Sequence, residues 1–251
     1  MTTGPMHSMT VASRVLQILL ACAGGLALVV DALGYAWLRS GTFVLHVSDP
    51  DRLGRRVSTW TGTGLDSAIP AFLWLPSLLS WAVIVLWLIW QHGSTANLWA
   101  RGYRDLKIRP GWAVGWWFIP FANLVMPCVA MVELDRRSTT DGSPRSTSPL
   151  VGSWWAVYVG GSVVVTIGLV IAVLSAFPDL VEAADRDQTV FDLTASAHSA
   201  APWILALGIV TAIAAGLAIA VVRRTTDAQT AMVAAPSAMS TAIPMRPDLG
   251  V

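Results

Sequence analysis

The amino-acid sequence predicts an all-α integral membrane protein: a bundle of four transmembrane helices plus a re-entrant or interfacial helical segment rich in Trp and Pro. Three observations predict it. The mean hydropathy is +0.61 and 55% of the residues are apolar. Only 12% are charged, against about 25% in a typical soluble domain. The chain also contains several uncharged runs of the roughly 20 residues that a helix needs to cross a hydrocarbon core of about 30 Å. The same figures exclude other classes. A formal charge of +1 gives no basic field for nucleic acid. Two cysteines, Cys22 and Cys128, cannot build a disulfide framework. Neither Asn97 nor Asn123 opens a glycosylation sequon.

The elements follow in order. Residues 1–13 are polar and carry Gly4 and Pro5, as a disordered tail would. The polytopic membrane domain takes residues 14–222. Its first span, 15–38, contains the uncharged, largely apolar run Val15–Val30 and ends on Tyr35 and Trp37, residues suited to the membrane interface. Its apolar run is long and a single Arg14 precedes it, so it reads as a retained span, not a cleaved signal. Residues 41–66 are a polar loop. The second span, 67–90, has no charge; Pro70 lies near its start, Pro76 further in predicts a kink, and Trp87 and Trp90 mark the far interface. The Ser/Thr/Pro-rich stretch 135–149 is a flexible linker. The third span, 154–177, opens on Trp154-Trp155, and the loop 178–198 after it is acidic. The fourth, 202–222, has Pro202 near its start and is stopped by Arg223-Arg224; residues 223–251 are Ala/Thr/Pro-rich and read as a disordered cytoplasmic tail.

Basic residues set the orientation. With four spans, eleven of the sixteen Lys and Arg fall on the side of the two termini and five on the other. A fifth span over residues 112–132 changes this to ten against six. Both arrangements place the C-terminus in the cytoplasm, and the four-span version places the N-terminus there too, in a multi-pass cell-membrane protein.

Three features are candidates for function. Asp31 is the single acid within an apolar run, at the outer boundary of the first span or inside it, where an acid faces a cavity or a partner. Gly208, Ala212, Gly216 and Ala220 recur every four residues on one face of the fourth span, which allows close helix packing, within the chain or against a second copy. The third feature is residues 110–134, PGWAVGWWFIPFANLVMPCVAMVEL. Pro120 and Pro127 each remove a backbone N–H, and unsatisfied backbone in lipid costs several kcal/mol per group. A helix–break–helix is therefore expected, with Trp112, Trp116 and Trp117 at headgroup level and Asn123 satisfying the broken backbone or a neighbour. Glu133 is expected to pair with Arg136 and Arg137 at the helix end.

This segment resembles the signature of the domain-of-unknown-function 4328 family, small multipass membrane proteins of high-GC bacteria. Pro110, Gly111, Trp112, Gly115, Trp116, Trp117, Pro120, Phe121, Asn123, Leu124, Pro127 and Glu133 carry the core of the likeness. Tyr103-Arg104-Asp105-Leu106 fits the family's approach, and Leu150 to Trp155 resembles the start of its next span. The likeness covers about residues 70–222. Cys128 stands where the family usually has Tyr, Val132 where it has Arg, and Asp135 where it has Trp. The resemblance implies an architecture and a bacterial membrane address, and no activity.

No Walker loop, dinucleotide fingerprint, nucleophile elbow or zinc-protease helix occurs, and His7, His46, His92 and His198 are scattered. The expectation is a non-enzyme with no catalytic, cofactor or metal residues: a membrane-embedded structural or accessory interaction protein. Its partners would be the lipid bilayer and a membrane or cytoplasmic protein, with a second copy as a further candidate. The alternative is a small permease or ligand-binding protein with a site at the Pro-broken segment, because broken helices mark transporter sites.

Overall fold

A computed structural model describes residues 9–42, 44–46, 69–103, 106–139, 146, 148–175, 177–178, 181 and 190–234. The tails 1–8 and 235–251, most of the loop 41–66, about half of the loop 178–198, part of the linker 135–149, and Arg104 and Asp105 of the approach lie outside the described residues.

The fold is all-α, with one short antiparallel pair of strands. In chain order the elements are α1 (Thr10–Ser40), β1 (Val44–His46), α2 (Ile69–Ala100), α3 (Pro110–Gly115), α4 (Met126–Arg137), α5 (Pro149–Leu174, with a π-helical stretch Ala156–Gly161), β2 (Val190–Asp192) and α6 (Thr194–Ala234). Four helices, α1, α2, α5 and α6, are long and apolar enough to cross a membrane. Their outward faces carry large apolar side chains such as Ile18, Leu78, Trp81, Val164 and Ile171. An exposed apolar surface of that extent suits hydrocarbon, not water.

The helices outrun the expected spans, because hydropathy locates only their apolar middles. α1 begins at Thr10, inside the stretch expected to be a disordered tail. α2 continues ten residues past Trp90. α6 begins at Thr194, so Pro202 is interior, and it continues to Ala234, which corrects the expectation of disorder from residue 223. The extension 223–234 contains Ala, Arg, Gln and Met, good helix formers, and it buries Thr225, Thr226, Gln229 and Met232.

The chain divides into two compact units. One comprises residues 16–86 and 152–219. Within it α1 and α6 run antiparallel at close range: a Cβ on Gly24 would lie 2.9 Å from Ala215 Cβ, and one on Gly208 would lie 2.8 Å from Asp31 Cβ. α5 also packs antiparallel to α6, with Gly168 against the Trp203 ring and Gly161 against Val210. β1 pairs with β2, Leu45 opposite Phe191.

The other unit comprises residues 1–15, 87–151 and 220–251. It collects the start of α1, the ends of α2 and α6, and all of α3 and α4. It holds eleven of the sixteen basic residues but six of the fifteen acidic ones. These are the eleven that the four-span reading places on one side. Within this unit α2 and α6 run parallel: Trp90 Nε1 donates to Thr226 Oγ1 (3.1 Å), Asn97 Nδ2 to Gln229 Oε1 (3.3 Å), and Arg101 Nη1 to the Met232 carbonyl (2.6 Å).

Candidate functional site

The signature segment folds as a helical hairpin, and its prolines explain the form. Pro110 and Pro127 stand in the first turns of α3 and α4, where an absent N–H costs nothing. Pro127, expected with Pro120 to interrupt a helix, instead stands at the start of one. Pro120 lies in the break. Between the two helices the chain makes two short 3₁₀ turns, Trp116–Phe118 and Ala122–Leu124. The longest helix in the segment, α4, has 12 residues, roughly 18 Å at 1.5 Å per residue. That is well short of a hydrocarbon core.

The hairpin closes on a small apolar core of Ile108, Ala113 and Ala130, against which Trp116 and Met126 pack. Trp112 stacks on Trp116 with ring centroids 4.9 Å apart, and Gly115 lets the Trp112 ring lie close to its own backbone. Glu133 then ties α4 to the chain entering α3. Its Oε1 accepts the Lys107 N–H at 2.8 Å and its Oε2 accepts the Ile108 N–H at 3.1 Å. The carboxylate expected in a surface ion pair thus serves as a clamp on two successive amides. Arg137, expected beside it, has its guanidinium 5.8 Å from the Tyr103 ring centre.

A polar network fastens the hairpin to the ends of α2 and α6. Gln91 Oε1 accepts Trp117 Nε1 (2.9 Å) from the hairpin and Trp87 Nε1 (3.1 Å) from its own helix. Gln229 Nε2 donates to the Ser94 carbonyl (2.9 Å) and to Ser138 Oγ (3.4 Å), bridging α2, α6 and the end of α4. Arg224 Nε donates to Asp135 Oδ1 at 2.8 Å, with the Asp135 side chain almost wholly buried. Asp135 is therefore the partner of Arg224, one of the two arginines that end the apolar stretch of α6. Gln91, Ser94, Asn97, Ser138 and Gln229 are all buried, and sequence reading overlooked them. Their signal was present as a polar stripe at helical spacing in 91–97 and again in 225–229.

The break itself faces outward. Phe118 is 69% exposed and Phe121 85%, and Ile119, Leu124 and Val125 are exposed beside them. Phe121 has φ +64°, the one non-glycine residue with positive φ among those described. The Ala122 N–H donates to the Pro120 carbonyl at 2.8 Å across it, which makes a γ-turn of the rare, strained hand. The Asn123 backbone N–H closes the next turn on the Ile119 carbonyl at 3.0 Å. The role expected of the Asn123 side chain is thus taken by main chain.

The other candidates lie apart from the hairpin. Asp31 belongs to the other unit, tucked where Gly208 has no side chain. Of the small-residue stripe, Gly208 and Ala212 meet α1, Gly216 has open space where a Cβ would be, and Ala220 falls in the hairpin's unit. Trp90, expected at an interface, is fully buried by its bond to Thr226. Cys128 is half-buried on α4, and this burial pushes its thiol pKa up. The pocket under the hairpin, lined by Thr95, Leu98, Leu106, Ile108, Ala113, Ala130, Glu133 and Leu134, has room for about one water. Among the described residues no group of three or more His, Cys, Asp and Glu could hold a metal ion.

No curated protein and no solved structure matches the chain. A family model described as Domain of unknown function (DUF4328) matches residues 54–227, a stretch that contains the whole hairpin, all of α2 and α5 and the apolar part of α6. The fastened hairpin is the structural form of the signature, and the chain belongs to the DUF4328 family.

Proposed function

We propose that the chain is a membrane-embedded structural or accessory interaction protein of the cell membrane, with both termini cytoplasmic. In this reading the four long helices anchor it, and the hairpin unit presents a fixed surface to a protein partner. One observation carries the reading: the polar chemistry of the hairpin is spent on fastening. Glu133 clamps two amides and Trp117 bonds Gln91, so the groups a permease would aim into a passage hold helix ends in register. The one-water pocket beneath the hairpin also suits packing better than substrate transit.

The test is extraction of the tagged full chain from its native membrane in mild detergent, beside Glu133→Gln and Arg224→Ala. A partner retained in fixed ratio by the wild-type chain, and lost when the hairpin is loosened although the variant still inserts, supports the proposal. A lone chain in several mild detergents and in directly extracted lipid discs overturns it.

A further inference from the structure

The hairpin has a direction along the helix to which it is fastened. At its base, Ile108, Ala130 and Glu133 line one pocket with Thr95 and Leu98 of α2. At its tip, Trp117 meets Gln91 and packs edge-on against Trp87, with ring centroids 6.4 Å apart. From Leu98 back to Gln91 is roughly 10 Å along a helix, and the movement is toward the uncharged run that ends at Trp90. α4 retraces the path. Asp135 meets Arg224 and Ser138 meets Gln229, so α4 runs parallel to the end of α6 and its N-terminal start lies on the apolar side of Arg224. α3 therefore enters, the chain breaks, and α4 returns, with the break at the level where the spanning helices become apolar.

We infer that the hairpin tip, Phe118, Ile119, Phe121, Leu124 and Val125, is seated in the hydrocarbon edge of an anionic lipid leaflet. Three independent observations select lipid as the occupant. Beside the tip, Trp117 meets Trp87 and Gln91 at the end of the apolar run of α2. The unit that carries it has a marked excess of basic residues, with exposed Lys107 and Arg109 at the base of the hairpin, as suits a leaflet bearing anionic headgroups. And Phe121 is held outward by a backbone conformation that costs energy. In water that arrangement would combine strain with an exposed aromatic ring. In lipid the ring is solvated by hydrocarbon, and the close γ-turn ties the Ala122 amide to the Pro120 carbonyl, as a bilayer requires of backbone groups. The inference holds whether or not a protein partner also binds.

The test places an environment-sensitive fluorophore on single cysteines in the full chain lacking Cys22 and Cys128, reconstituted in phosphatidylethanolamine–phosphatidylglycerol vesicles. Phe121→Cys and Phe118→Cys report the tip; both side chains are exposed, so the folded core is untouched. Gly111→Cys, with open space around it, reports the base. The expected result is severalfold stronger quenching of the tip probes by nitroxide-bearing lipids than of the Gly111→Cys probe, and little quenching by aqueous iodide. Tip probes quenched by iodide and not by lipid overturn the inference. So do tip probes dark to both quenchers that exchange energy between copies, which would assign the tip to a second chain.

Discussion

Removing the Glu133 clamp gives the sharpest energetic prediction. Its two carboxylate oxygens accept the Lys107 and Ile108 amides at 2.8 and 3.1 Å. Hydrogen bonds to a charged acceptor contribute about 1.5–3 kcal/mol each. Glu133→Gln keeps one carbonyl acceptor and turns an NH₂ group toward the other amide, so it loses one such bond, about 2 kcal/mol. At about 1.4 kcal/mol per factor of ten, the amides of residues 107 and 108 should exchange hydrogen about 30-fold faster. Glu133→Ala loses both bonds and should approach the rate of an unprotected loop. Hydrogen exchange followed by mass spectrometry on peptides covering 106–109 reads this directly. Unchanged protection in both variants would show that the clamp does not hold the hairpin.

Further predictions follow from the packing. Gly168→Ala would place a Cβ 2.5 Å from the Trp203 ring and should cost about 1–3 kcal/mol of resistance to denaturing detergent, whereas Gly216→Ala, with open space around it, should leave that resistance unchanged or raise it. Arg224→Ala leaves the buried Asp135 carboxylate unpaired and should destabilise the hairpin unit by about 2–3 kcal/mol; adding Asp135→Asn should recover most of this in the same unfolding assay. Phe121→Gly relieves the positive φ and should raise the midpoint of thermal unfolding in detergent, where the change is worth about 1 kcal/mol. Burial raises the Cys128 thiol pKa; less thiolate is then present at a given pH, so its maleimide alkylation should accelerate at a higher pH than that of a free thiol in the same buffer.

Much of the architecture was legible because a bilayer makes simple demands. Twenty uncharged residues in a row are hard to place otherwise, and each of the four expected spans falls largely within one of the four long apolar helices. The prolines at 110, 120 and 127 announced a broken segment, and the break is there. The helix ends were not legible. Gln91, Ser94 and Asn97 look like loop residues to a hydropathy reading, yet they lie on one buried helical stripe: Gln91 accepts from Trp117, while the Asn97 side chain and the Ser94 carbonyl bond Gln229, more than a hundred residues away. The two ends of Glu133's bonds are likewise distant in sequence, so a nearby Arg pair was the simpler guess. The γ-turn at Phe121 has no local signal at all, since glycine or asparagine would be expected at positive φ. The stripe from Gly208 to Ala220 shows the opposite failing: regular spacing suggested one packed face, and the structure uses only part of it.

The account rests most on the hairpin entering and leaving on the side that also holds the end of α6. Single cysteines at Gly111, before the break, at Ser146, after it, and at Thr230, on the end of α6, are all at exposed positions. They can be labelled with a membrane-impermeant maleimide in right-side-out and inverted vesicles. The account predicts that all three label only in inverted vesicles. Labelling of Gly111→Cys and Ser146→Cys from opposite faces would mean that the segment crosses the bilayer, and would contradict it.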